Sequence, residues 1–148
     1  DQIEAGGPIT ITDKNMTRFL LTLDQAVDTV FEALQFAEAG ETYIPKIKAA
    51  RIIDVVSALI GKKKIEIKET GVRPGEKLHE VLVSQEESLR TISRGNYFAI
   101  KSILPEVSKP TPVPKFDFDE LSSEYFLMTA SEVEAFLDKN LSGDLTVR

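Results

Sequence analysis

The sequence predicts a small mixed α/β domain. Three observations carry the prediction: 148 residues with 42% hydrophobic composition, short β-branched alternations, and two longer stretches with apolar residues at helical spacing. Such a length suits one ordinary domain with a core of normal proportions. No apolar run approaches the roughly 20 residues a bilayer span needs, and Asp1-Gln2-Ile3-Glu4 lacks the charged and apolar regions of a signal peptide. A cytoplasmic setting is therefore expected. With no cysteine and one histidine, the chain has no disulfide or thiolate chemistry, and a metal site is not expected.

Taken in order, residues 1–8 end in Gly6-Gly7-Pro8 and read as the tail of an upstream element running into a turn. Ile9-Thr10-Ile11-Thr12 alternates as a short strand does, and Asp13-Lys14-Asn15 is turn material. Thr22 with Gln25 is a capping-box pair, and Ala26, Val27, Val30, Phe31 and Leu34 continue from it at helical spacing toward Gly40. Thr42-Tyr43-Ile44 reads as a strand before Pro45. A second helix carries Ile52, Ile53, Val55, Val56, Leu59 and Ile60 and stops at Gly61. Lys64-Ile65-Glu66-Ile67-Lys68 alternates like a half-buried strand, giving the order β, β, α, β, α, β.

Beyond residue 77 a short helical stretch is expected around Leu78, Val81 and Leu82, and another from Gln85 to Thr91 with Ser84 as its cap. Four prolines between Pro105 and Pro114 suggest an extended connector. Thr129-Ala130-Ser131-Glu132 is a further capping box, opening a helix with Val133, Phe136 and Leu137 on its apolar stripe. The expected organisation is an α/β region over 1–104, a proline-rich connector over 105–115, and an acidic tail over 116–148 whose helix docks on the domain.

Charge is unevenly spread. Residues 46–77 hold nine Lys/Arg against four Asp/Glu, a local +5, so the remainder carries −11 of the overall −6. That separation suits a site attracting a small anion and argues against a whole-chain nucleic-acid binder. The triple lysine Lys62-Lys63-Lys64 reads as a wet corner between helix and strand. Asp117, Asp119, Glu120 and Glu124 lack cation-ligand spacing and read as solubilising charge.

Within the basic stretch lies Arg73-Pro74-Gly75-Glu76-Lys77. Proline at the second position and glycine at the third specify a type II turn, which brings Arg73 and Glu76 to its two ends. A forked guanidinium matches phosphate oxygens, and a carboxylate accepts from neighbouring hydroxyls, so the pair suits a phosphate beside a ribose diol. A surface ion pair across the loop is the competing reading. Arg18, in Met16-Thr17-Arg18-Phe19, supplies a second arginine ahead of the first capped helix. Lys46 follows Pro45 in the electropositive stretch as a further nucleotide contact, with a solvated loop lysine as its alternative. His79 reads as packed or solvated and not catalytic.

Four segments together resemble a known family: Ile9 to Asp13, Met16 to Leu23, Tyr43-Ile44-Pro45-Lys46, and Gly71-Val72-Arg73-Pro74-Gly75-Glu76-Lys77-Leu78-His79-Glu80. In this order they resemble the carboxy-terminal part of nucleotide-sugar 4,6-dehydratases and epimerases, the polysaccharide-biosynthesis branch of extended short-chain dehydrogenase/reductases. The resemblance covers about residues 1–100 well and is closest to the UDP-N-acetylglucosamine 4,6-dehydratase type, used for capsule or glycan precursors. It implies a substrate-binding domain in which Arg73 contacts the UDP pyrophosphate, Glu76 the uridine ribose, and Arg18 a phosphate from the other side.

The chain shows no glycine-rich dinucleotide fingerprint and no Tyr-x-x-x-Lys pair for hydride and proton chemistry, so no catalytic residue is expected within it. By the resemblance, NAD or NADP and those groups belong to an amino-terminal Rossmann domain of the intact protein, the expected partner of this chain along with a UDP-sugar. Homo-oligomers are expected of that intact protein, and neither nucleic acid nor a membrane span is expected here. A stand-alone, non-catalytic sugar-nucleotide-binding or regulatory module is the rival expectation.

Overall fold

The computed structural model describes residues 1–107 and 116–141. Along them run β1 (Ile9–Ile11), β2 (Thr17–Phe19), α1 (Leu23–Phe36), β3 (Thr42–Pro45), β4 (Ala49–Arg51), α2 (Ile52–Ile60), β5 (Ile67–Glu69), β6 (Val81–Val83), α3 (Gln85–Ser88), β7 (Thr91–Arg94), β8 (Tyr97–Ile100), β9 (Leu121–Ser122) and α4 (Ala130–Leu141). The mixed α/β class is the one expected. Most of the proline-rich connector, residues 108–115, and the last part of the acidic tail, 142–148, lie outside the described residues.

Two compact units interleave along the chain. The first comprises 1–20, 48–80 and 123–148; the second comprises 21–47 and 81–122. In the first unit β1 pairs in parallel with β5, Ile9 opposite Ile67, and β2 pairs antiparallel with β4, Thr17 opposite Arg51. Buried Ile9, Ile11 and Ile60 gather Ile52, Ile53, Val56, Ile65 and Ile67 around them. A second cluster joins the far side of α2 to α4: Ala50, Met128 and fully buried Val133 pack with Val55, Ala58, Phe136 and Leu137. The heptad-like spacing of Val133, Phe136 and Leu137 therefore faces α2, and burial of that stripe holds the helix in place. Its start is the predicted capping box, with the Glu132 N–H donating to Thr129 Oγ1 at 3.3 Å and the Thr129 N–H to Glu132 Oε2 at 2.8 Å.

In the second unit β3, β8 and β7 form an antiparallel sheet in that order. The β7–β8 hairpin closes through Gly95-Asn96, with Arg94 opposite Tyr97. Gly95 has φ +53, while among the described residues no non-glycine residue, Asn96 included, has positive φ, so the turn is the type II′ kind that places glycine first. The second unit also contains α1, whose Thr22–Gln25 capping box is present as predicted.

Three expectations are corrected. The first helix stops at Phe36, before Gly40, because the Phe36 carbonyl is taken at 2.9 Å by Arg94 Nη1 from the hairpin and the chain leaves extended at Ala37. The segment around Val81 and Leu82 is strand β6, paired with β9, since Val83 is fully buried by pairing that helical spacing did not reveal. The Ser84 cap is real, but its helix ends at Ser88, and Thr91 already belongs to β7.

Candidate functional site

The Arg73–Glu76 turn forms as its residue types dictate. The Glu76 N–H donates to the Arg73 carbonyl at 3.0 Å, and Gly75 holds the positive φ, +87, that a type II turn requires at its third position. The Glu76 carboxylate turns back to accept the Arg73 backbone N–H at 3.0 Å. Both side chains are exposed, and this closed loop presents the Arg73 guanidinium to solvent from a fixed backbone.

Arg18 is brought to the segment that follows this turn. Its Nη2 donates to the Lys77 carbonyl at 2.9 Å, and its Nη1 to the Leu78 and Thr17 carbonyls at 3.2 and 2.7 Å. Its Nε lies 3.5 Å from Glu80 Oε1. Three of the five guanidinium N–H groups are thus committed to backbone oxygens, and the plane of the fork is fixed. The Thr17 N–H donates to the Leu78 carbonyl at 3.0 Å, tying β2 to the same segment. Arg18, Arg73 and Glu76 all belong to the first unit.

Lys46 belongs to the second unit. Its Nζ donates to Ser93 Oγ at 2.6 Å and to the Gly95 carbonyl at 2.7 Å, and it sits 4.8 Å from the centre of the Phe98 ring. It braces the β7–β8 hairpin with two of its three N–H groups and lines a cleft of about 250 Å³ with Gln25, Asp28, Pro45 and Asn96. A larger cleft of about 460 Å³ in that unit is bordered by Asp28 and Glu32, charges that repel a diphosphate.

Sequence reasoning passed over one polar cluster. His79 Nδ1 lies 2.8 Å from Thr17 Oγ1, which lies 2.6 Å from Ser123 Oγ; Thr17 and Ser123 are buried, and His79 is partly so. Thr17 and Ser123 stand 106 residues apart, so no local pattern announces their meeting. Contrary to the expectation, the chain does hold one Tyr-x-x-x-Lys spacing, Tyr97-Phe98-Ala99-Ile100-Lys101. Tyr97 opens strand β8, however, so four residues span about 13 Å where a helix would bring the pair within one turn. Lys101 is engaged elsewhere, 3.5 Å from Glu38 Oε2.

Gly6-Gly7 leads through Pro8 into strand β1 and opens no helix, so these glycines do not fit a dinucleotide phosphate cradle. Among the described residues no group of three or more His, Asp or Glu could hold a metal ion, and no helix is long and apolar enough to cross a membrane.

Comparison with known proteins places this architecture. Residues 1–102 match the family model described as polysaccharide biosynthesis protein. A UDP-N-acetylglucosamine 4,6-dehydratase (inverting) from Campylobacter jejuni is 37% identical over 106 residues, covering 72% of this chain and 31% of that protein. A UDP-glucose 4-epimerase from Rickettsia bellii is 38% identical over 102 residues, covering 68% and 30%. The solved structure of Pen from Bacillus thuringiensis matches with a TM-score of 0.81 at 29% identity, over 95% of this chain and 44% of that one. The chain spans less than a third of the length of these two sequence relatives. On the match over residues 1–102, and with a fold that agrees, the chain belongs to the polysaccharide biosynthesis protein family, as an extended short-chain dehydrogenase/reductase-like portion.

Proposed function

We propose that this chain binds the nucleotide part of a UDP-sugar, with UDP-N-acetylglucosamine the leading candidate, within a nucleotide-sugar 4,6-dehydratase or epimerase serving polysaccharide precursor synthesis. The observation that carries the reading is the clasp, within one unit, of the Arg18 guanidinium on the Lys77 and Leu78 carbonyls, the backbone that directly follows the solvent-facing Arg73 turn. Arg73 and Arg18 offset the two phosphate charges, and Glu76 accepts from the ribose hydroxyls once it exchanges its bond to the Arg73 N–H. Lys46, in the second unit, has two of its three N–H groups on its own hairpin and is proposed separately as a nucleotide contact, outside this constellation. Charge-assisted hydrogen bonds of this kind contribute roughly 1.5–3 kcal/mol each.

The oxidation and elimination chemistry, with NAD or NADP, is assigned to a Rossmann-type partner domain such as longer relatives have room for, and no step of it is routed through these residues. One surface supports such a partner. Helix α1 exposes Leu23, Val27, Val30, Phe31 and Leu34 along a single face, with Leu23 80% and Leu34 79% exposed. An exposed apolar stripe along one helix face suits burial against a partner. A cytoplasmic location follows from the same reading. The stand-alone module is the weaker reading, since both sequence relatives named above carry enzyme names.

Isothermal titration of the protein expressed from its complete reading frame with UDP and UDP-N-acetylglucosamine tests the proposal. Binding of both, lost in Arg73→Ala, is expected. Absence of binding, or an Arg73→Ala affinity equal to that of the parent, overturns the assignment.

A further inference from the structure

The chain's one histidine joins two buried hydroxyls to the backbone that carries Arg18. Ser123 Oγ accepts the Glu80 N–H at 2.9 Å, while the Ser123 N–H donates to the Glu80 carbonyl at 2.8 Å. With Thr17 N–H on the Leu78 carbonyl, the cluster is bound at both sides to residues 78–80. Thr17 is 2% exposed and Ser123 fully buried, so neither hydroxyl can trade its partners for solvent.

Proton bookkeeping in this row allows two arrangements. If Nδ1 is bare, the Ser123 hydroxyl donates to Thr17 Oγ1 and the Thr17 hydroxyl donates to Nδ1. The ring proton then sits on Nε2, which faces Glu124 Oε2 at 3.8 Å. If Nδ1 carries a proton, every bond reverses: Nδ1 donates to Thr17, Thr17 donates to Ser123, and the Ser123 hydroxyl turns to the Thr17 carbonyl at 3.4 Å. That carbonyl is the one Arg18 Nη1 grips at 2.7 Å. The donor state of the imidazole and the anchoring of Arg18 therefore meet at one oxygen.

We infer that Thr17, His79 and Ser123 form a reversible hydrogen-bond relay that positions Arg18, so that the grip on a diphosphate responds to the proton on His79 Nδ1. The inference rests on the assignment of Arg18 to the nucleotide. His79 is a positioning residue, acting through Thr17 and Ser123 without touching the ligand. The charged groups around it are Glu124 facing Nε2, Glu80 beside Arg18 Nε, and Arg18 itself on β2. Imidazole is the side chain whose protonation changes under mild conditions, so both donor states of the relay can be compared in one protein.

Two effects of protonation have opposite signs. An added positive charge alone strengthens anion binding as pH falls, whereas sharing the Thr17 carbonyl with Ser123 loosens Arg18 and weakens it. The relay predicts that loosening wins, by about three- to tenfold in UDP affinity, the span of one net hydrogen bond.

Nitrogen-15 NMR of the 148-residue chain gives a direct test, because a single histidine leaves the imidazole signals unambiguous. The neutral ring is expected as the Nε2–H tautomer, and the Arg18 Nε signal and the amides of residues 77–80 are expected to titrate with the ring's midpoint. Thr17→Val is expected to abolish that coupling. His79→Asn, which keeps a group near Nδ1 able to accept or donate but cannot titrate, is expected to abolish the histidine-dependent fall in UDP affinity between pH 8 and pH 5.5, each pH being compared with the variant's own value. An Arg18 signal indifferent to the ring, or a His79→Asn pH profile equal to the parent's, overturns the relay. If the parent binds no UDP, the nucleotide reading fails on its own, and the Arg18 titration still decides the relay.

Discussion

Arg18 Nη2 donates to the carbonyl oxygen of Lys77 at 2.9 Å, across 59 residues of sequence. The bond gives the Arg73 turn a fixed neighbour: the backbone leaving the turn is held by a cation that keeps one Nη2 N–H beyond its three carbonyl bonds and its Nε contact with Glu80. Lysine cannot reproduce it, since an ammonium is a point donor and the three carbonyls of residues 17, 77 and 78 need a planar fork. Arg18→Lys is expected to weaken UDP binding about tenfold and to lower stability by roughly 1 kcal/mol. Calorimetric titration and urea denaturation measure the two. Unchanged UDP affinity in this variant would remove Arg18 from the site.

Gly75 isolates backbone from side-chain effects. Its φ is +87, and a Cβ placed there meets nothing within 4 Å, so Gly75→Ala suffers only the strain of the left-handed region. That strain amounts to about 1–2 kcal/mol if the turn persists, and the turn relieves it by opening. UDP affinity is expected to fall while the melting temperature of the first unit changes little. Equal affinity with lowered melting temperature would show the turn to be structural only.

How much of this was legible in the sequence follows from the range of each signal. The Thr22–Gln25 and Thr129–Glu132 caps, the stop at Gly61 and the Arg73 turn are decided by residues within four positions of one another, and all four stand in the structure. Strands β2 and β4 carry no such mark, because Thr17-Arg18-Phe19 and Ala49-Ala50-Arg51 do not alternate as Ile9-Thr10-Ile11 does, and their pairing depends on a partner about 30 residues away. The β7–β8 hairpin carried a readable mark, Gly95-Asn96 between two β-prone runs, that went unused. Within the site, residue types pointed to Arg73, Glu76 and Arg18, but not to the carbonyl clasp on Arg18. Such a clasp depends on where backbone oxygens fall in space. The Thr17–Ser123 contact lies beyond any pattern for the same reason.

Arg94 holds the second unit at a point where burial sharpens charge. Its guanidinium takes both oxygens of Glu41 at 2.7 and 2.9 Å, the Tyr43 hydroxyl at 2.9 Å and the Phe36 carbonyl, and the Glu41 side chain is 2% exposed. The Tyr43 hydrogen bond, followed by the charges of Glu41 and Glu38, raises the Arg94 pKa above its ordinary value, so the cation persists at any working pH. Arg94→Leu leaves a buried carboxylate without its cation and is expected to cost on the order of 3 kcal/mol, read by urea denaturation. Adding Glu41→Gln removes the stranded charge and is expected to recover part of the loss. A double variant no better than Arg94→Leu would place the cost in lost packing.

Glu132 sets the acid limit of α4. Its carboxylate accepts from Lys48 Nζ at 2.7 Å and from the Thr129 N–H and hydroxyl, and these bonds, the lysine's foremost, lower its pKa from 4.5 to about 2. A carboxyl group with a depressed pKa in the folded state stabilises that state fully above its unfolded value. The contribution is lost as pH falls from there through the folded value. For Glu132 the loss runs from about 4.5 down to about 2, and the α4 cap stays intact at any pH above that window. Carbon-13 titration of the Glu132 carboxyl is expected to give a midpoint near the lower value. Lys48→Met removes the leading cause but leaves both Thr129 donors, so the midpoint is expected to rise only part of the way toward the ordinary carboxylate range. An unshifted midpoint in Lys48→Met would assign the depression to the capping box alone, and a return to the ordinary value would mean that the cap contributes nothing.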